Sequence, residues 1–131
     1  AEMMTEYEEI MNSGKIYKVM GLTNEDTHYH EYLQMMEKYN SLGYTEEGEK
    51  EKQRILKELF AEAGENAYIQ APYHAMWGGR HVHLGKNVYV NFNATFVDDA
   101  QIYIGDNTMI APNVTIIAAS QRGLDTFCLI K

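Results

Sequence analysis

The sequence carries a single cysteine, Cys128, in 131 residues. No internal disulfide can form, so packing and hydrogen bonds must hold the fold. This usage fits a reducing compartment and predicts a cytoplasmic protein. No run of about 18 apolar residues is present, so no membrane span is expected. The N-terminus lacks the basic, apolar and small-residue order of a secretory signal. Bases are the scarcer charge, with 11 Lys and Arg against 19 Asp and Glu and a net charge of −8. The excess lies in one half. Residues 1–66 hold 15 acids and 7 bases, whereas residues 67–131 hold 4 of each. That distribution argues against a nucleic-acid phosphate binder, and solvated helix faces account for the acids. A Walker or dinucleotide glycine loop is also missing, as is a serine-in-elbow motif, so those site types are not expected.

What is present falls into two textures. Residues 1–64 carry three helix signatures. Thr5 and Glu8 have capping-box spacing, and Gly14 can end that helix. Thr23-Asn24-Glu25-Asp26 repeats the logic, with Gly43 as the stop and Tyr29, Leu33, Met36 and Tyr39 along one face. Thr45 precedes Glu46 and Glu47, acids suited to a helix N-terminus, and Ile55, Leu56, Leu59, Phe60 and Ala63 form an apolar stripe ending at Gly64. The methionines and tyrosines of these helices are packing residues.

The second half repeats every six residues. From Leu84 it divides into LGKNVY, VNFNAT and FVDDAQ; after Ile102 and Tyr103 it resumes as IGDNTM, IAPNVT and IIAASQ. Position one reads Leu84, Val90, Phe96, Ile104, Ile110 and Ile116. Position five reads Val88, Ala94, Ala100, Thr108, Val114 and Ser120, all small or β-branched. Such a period is too long for an alternating strand and wrong for a helix. Three hexads make one turn of a triangular coil, with position one filling the prism and position five at the corners. Gly85, Gly105, Asn87 and Asn107, with Asn91 and Asn113, are expected to supply the turn conformations. The fold class is mainly β with N-terminal α-helices: a parallel β-helix of about two coils. Its expected parts are a helical region at 1–66, coils at 67–121 and a non-repeat tail at 122–131.

The stretch NFNATFVDDAQIYIGDNTMIAPNVT resembles the maltose and galactoside O-acetyltransferases of the hexapeptide-repeat group, and GKIY and LKELFAEAGENAYIQAPY match the same family's N-terminal layout. The resemblance covers roughly residues 5–120. It implies a left-handed β-helix and transfer of an acetyl group from acetyl-CoA, as co-substrate, to a sugar hydroxyl. It further implies a homotrimer with active sites between subunits, and no metal. Family residues that contact the acceptor sugar align with Asn91 and Asp99. Trp77 replaces a small polar or acidic residue, and either stacks on a sugar face or covers the coil stack. Val19 replaces an acidic residue.

The family's general base is a histidine shortly after the APNVT coil, and ungapped alignment puts Gln121 there. Glutamine accepts no proton at neutral pH, and loss of a general base typically costs about 10²–10⁴-fold in rate. The tail QRGLDTFCLIK shows no hexad. The resemblance thus also implies a shortened chain, and the alternative function is an inactive, trimer-forming scaffold without the base or the CoA site. His81 and His83, two apart on a probable strand, share a face, but a metal site needs a further ligand, for which Asp98, Asp99 and His74 are the neighbours to consider. His74 or His83 is the alternative base. Asp98 and Asp99 point to opposite faces, so a glycosidase-like carboxylate pair is not expected. Gly78-Gly79 reads as a turn entering the first coil.

Overall fold

The computed structural model describes residues 28–118. The expected Thr5–Gly14 helix, Val19, Ser120, Gln121 and the 122–131 tail lie outside the described residues. Two helices come first among the described residues. In α1 (Tyr29–Ser41) the buried residues are Tyr32 and Tyr39, with Tyr29, Met35 and Met36 packed beside them. Leu33, expected on the buried stripe, is not part of it, because the helix turns the 32, 36, 39 line inward. Thr45 caps α2 (Glu46–Leu59), its Oγ1 accepting from the Gly48 N–H at 3.0 Å, and three glutamates fill the first turn. Ile55, Leu56, Leu59 and Phe60 are buried as the stripe predicts. The helix stops before Gly64, however: Phe60 is already extended and its N–H closes on the Leu56 carbonyl.

Nine short strands follow: β1 (Glu62–Ala63), β2 (Tyr68–Ile69), β3 (Tyr73–Ala75), β4 (Val82–Leu84), β5 (Tyr89–Val90), β6 (Ala94–Val97), β7 (Ile102–Ile104), β8 (Met109–Ile110) and β9 (Thr115–Ile117). They make three parallel sheets, ordered β1-β4-β7, β2-β5-β8 and β3-β6-β9. A chain that visits three sheets in rotation and returns to each in parallel is a β-helix. Position one forms three vertical rows in register: Ala63, Leu84, Ile104; Ile69, Val90, Ile110; and Ala75, Phe96, Ile116. From Leu84 onward all six position-one residues are buried, and together they form the prism core.

The register shows three coils among the described residues rather than two. The first begins at Glu62, ahead of the expected boundary at 66. It was hidden because two of its position-one residues are alanines and its position five carries Tyr73 in place of a small residue. Tyr73 fits there because the first coil meets the helices: its ring packs against Tyr39, Phe60 and Phe96. A cleaner signal was the triplet Gly64-Glu65-Asn66, which recurs at Gly85-Lys86-Asn87 and Gly105-Asp106-Asn107.

In those triplets the asparagines, not the glycines, take the left-handed backbone. Asn66, Asn87 and Asn107 have φ near 60°, as do Asn93 and Asn113; Asn91 does not. Side-chain amides link Asn66 to Asn87 and Asn87 to Asn107, each at 3.1 Å. The glycines answer to crowding: a Cβ on Gly64 would lie 2.5 Å from Gly85, and one on Gly85 would lie 2.4 Å from Asp106.

The helical layer sits on the first coil and completes its open edge. The Tyr39 hydroxyl donates to the Ile69 carbonyl at 2.5 Å, and Gln53 donates to the Ala67 carbonyl at 3.3 Å. Asn40 donates to the Tyr73 carbonyl (2.8 Å) and accepts from its N–H (3.0 Å). These side chains occupy main-chain groups that another coil would otherwise pair.

Candidate functional site

Two corners depart from the strict hexad. From Ala75 to Leu84 is nine residues and from Phe96 to Ile104 is eight, each where six would complete a side. Ile102, omitted from the hexad count, is fully buried in β7; the added residues lie in the corners, within 76–81 and 98–101. These neighbouring enlargements hold Trp77, His81, Asp98 and Asp99.

Asp98 organises the corner from inside. It is fully buried, and its carboxylate accepts from the backbone N–H groups of Trp77 (2.7 Å), Gly79 (3.1 Å) and His81 (3.4 Å). Burial raises its pKa, while the Trp77 N–H and the His81 side chain pull the other way. The Asp98 carbonyl lies 2.6 Å from His81 Nδ1, and a carbonyl can only accept, so Nδ1 carries the proton. His81 Nε2, also buried, has no hydrogen-bond partner among the described residues. The loop needs its glycines: Gly78 and Gly79 have φ of 71° and 106°, and a Cβ on either would lie 2.5 Å from the Tyr32 carbonyl or the Phe60 ring.

Trp77 does not offer a face to a sugar. It is 5% exposed, with Tyr29 of α1 edge-on at 4.9 Å and the His81 ring at 5.6 Å. Its polar atom points the other way: the indole N–H donates to Asp99 Oδ1 at 3.0 Å. Asp99 is half-buried, at the outer side of the corner. Asn91 lies at the preceding corner, where its Oδ1 accepts from the Phe92 N–H at 2.8 Å and leaves its amide N–H groups to donate elsewhere. Strand β6 separates Asn91 from Asp99, four residues or about 13 Å of extended chain. The two candidate residues therefore flank one side of the prism and do not meet within the chain.

The histidines also separate. His81 precedes β4 and turns into the corner. His83 lies on β4, stacked on Tyr103 at 4.2 Å, with Nδ1 3.0 Å from Glu62 and Nε2 2.7 Å from Gln101. His74 is exposed on β3, in another sheet. The shared face expected for His81 and His83 is thus not formed. Among the described residues no group of three or more His, Cys, Asp or Glu is placed to hold a metal ion. Sequence reasoning missed Asp98 as the corner's organiser. The two-residue break in the hexads beside it was the available signal.

No family model matches the sequence. A galactoside O-acetyltransferase of Lactococcus lactis subsp. lactis (strain IL1403) is 43% identical over 90 residues, 69% of this chain and 42% of that protein. Among solved structures, a galactoside acetyltransferase in complex with coenzyme A superposes with a TM-score of 0.74 at 34% identity, over 84% of this chain and 53% of that one. A maltose O-acetyltransferase from Clostridium difficile 630 gives 0.70 at 29% identity, over 88% and 59%. The chain thus spans less than half the length of its curated relative. Rows of position-one residues, parallel sheets visited in rotation, and these likenesses in sequence and structure agree on a left-handed parallel β-helix, and the chain belongs to the galactoside and maltose O-acetyltransferase family of hexapeptide-repeat proteins.

Proposed function

We propose that this chain serves acetyl-CoA-dependent O-acetylation of a sugar, with a galactoside or maltose-like acceptor. The observation that carries the reading is the 43% identity over 90 residues to a galactoside O-acetyltransferase. The likeness to an acetyltransferase in complex with coenzyme A supports acetyl-CoA as the donor. The acceptor oxygen attacks the thioester carbonyl, an acetyl ester forms, the carbon–sulfur bond breaks, and the departing thiolate takes up the proton the hydroxyl gives. Asn91 offers amide N–H donors and Asp99 a carboxylate acceptor, a pairing suited to sugar hydroxyls.

Asn91 and Asp99 stand at different corners, which supports a site completed between copies of the chain, and a homotrimer is the assembly proposed. Met76, Phe92 and Ile117 are exposed on or beside the third side of the prism and supply apolar surface for such a contact. Light scattering coupled to size exclusion tests it: a monomeric mass at tens of micromolar overturns it. A cytoplasmic setting is proposed on the single cysteine. Among the described residues no helix is long and apolar enough to cross a membrane.

A second reading rests on Gln121. With glutamine where the family places its histidine base, the chain is an inactive, trimer-forming scaffold without the base or the CoA site, and it transfers no acetyl group. Titration calorimetry of the chain with acetyl-CoA, followed by a labelled-acetyl assay on methyl β-galactoside and maltose, separates the readings. Binding with transfer supports the enzyme, and a folded, oligomeric sample that neither binds acetyl-CoA nor transfers its acetyl group supports the scaffold. A folded sample that binds no acetyl-CoA overturns the proposed donor.

A further inference from the structure

Trp77 and Asp99 form an arrangement that ordinary core packing does not require. The two consecutive carboxylates of one corner hold the same residue of the corner before it. Asp98 takes the Trp77 backbone N–H at 2.7 Å, and Asp99 takes its indole N–H at 3.0 Å. Tyr29 of α1 closes the indole from the helical side. We propose that Trp77 is a positioning residue that latches the Asp99 carboxylate: it occupies Oδ1, fixes the carboxylate plane and directs Oδ2 outward as the atom that accepts from an acceptor-sugar hydroxyl. The functional half of this inference rests on the proposed reading of Asp99 as an acceptor-binding group.

The choice of donor matters. An indole N–H fixes the carboxylate without bringing a cation, so the negative charge stays available to a neutral hydroxyl; lysine or arginine there would neutralise it. The indole's bulk also closes the corner toward α1, so an acceptor must approach from the outer side. Among the described residues no hydrogen bond to Oδ2 is formed.

Trp77 is the single tryptophan of the chain, so one indole N–H resonance reports on the latch. In ¹⁵N-labelled full chain, Asp99→Asn is expected to move that resonance and speed its solvent exchange, with the rest of the backbone spectrum preserved. An unchanged indole signal in Asp99→Asn overturns the latch. Titration with methyl β-galactoside is then expected to shift the wild-type indole signal to saturation and to leave that of Asp99→Asn unmoved. Trp77→Phe keeps an aromatic ring and loses the donor. By calorimetry it is expected to bind the galactoside about three- to tenfold more weakly, with its thermal midpoint near wild type. Unchanged galactoside affinity in Trp77→Phe overturns the positioning role. If the wild type binds no galactoside, the acceptor reading falls, and the comparison with Asp99→Asn still decides whether the latch exists.

Discussion

A buried carboxylate without a cation beside it is normally expensive, because leaving water penalises its charge. Asp98 offsets that cost with three backbone N–H groups from the neighbouring corner, those of Trp77, Gly79 and His81. Replacing it by asparagine keeps the shape and turns an acceptor into a donor facing the Gly79 and His81 N–H groups. We expect Asp98→Asn to lower stability by about 2–3 kcal/mol, read as a fall in the urea midpoint with an unchanged slope. A change below 0.5 kcal/mol (roughly the size of an ordinary surface substitution) would show that water or backbone movement satisfies the loop. Little of this was visible in the sequence. The adjacent acids were noticed, and their opposite orientation follows from chain geometry. Which of the two is buried depends on the loop that wraps it, and that loop is seventeen to twenty-one residues away. Trp77 shows the same limit: its identity suggested either a sugar platform or a cover for the coil stack, and only its neighbours reveal that the ring is buried beside Tyr29 and His81.

At the level of the coil, the repeat determines most of what is seen. Position one was legible because six large aliphatic or aromatic side chains recur at a fixed interval and all fill the prism. The first coil was not, because alanine and tyrosine replace the usual residues where the helices dock. Gly85 and Gly105 were read as turn formers beside Asn87 and Asn107, but φ assigns that role to the asparagines of those triplets. A gradient along the Gly64, Gly85, Gly105 column follows. Alanine at Gly64 or Gly85 meets backbone or side chain at 2.4–2.5 Å, whereas alanine at Gly105 meets nothing within 4 Å among the described residues. We expect Gly85→Ala to cost at least about 1–3 kcal/mol and Gly105→Ala well under 1 kcal/mol. Thermal melting of the two variants checks the order, and equal losses would mean that backbone freedom rather than crowding selects glycine. Asn107→Gly should be tolerated and Asn107→Val should cost about 1–2 kcal/mol, since a β-branched residue resists the left-handed region.

For the whole molecule, the joint between helices and coils is rich in phenols, and they set its alkaline limit. Burial pushes the Tyr39 and Tyr73 hydroxyls well above the ordinary range, and burial with the Glu49 hydrogen bond pushes Tyr68 up to about 12. A phenol ionises near 10 in the unfolded chain. Each such group contributes fully below about pH 10, and its contribution is lost as pH rises toward its folded value. The urea midpoint is therefore expected to fall between about pH 10 and 12, with part of the phenolate absorbance appearing only on unfolding. Smooth titration of all ten tyrosines with no loss of stability would contradict this. The charge imbalance was legible at this scale, but the boundary it suggested was not: among the described residues α1 and α2 precede Glu62, and the coils begin there, inside the acidic half.

The side chains that α1 and α2 lay along the first coil have a consequence for solubility. A parallel β-helix is a stack whose free edge can template further strands, from the same chain or from another. Tyr39, Asn40 and Gln53 occupy that edge with groups that hydrogen-bond and cannot propagate a strand. They act as chain terminators for a potential polymer. Asn40→Ala would free both main-chain groups of Tyr73. Its cost should appear less in the melting temperature than in light scattering and thioflavin binding on prolonged incubation, as end-to-end growth of one molecule upon the next.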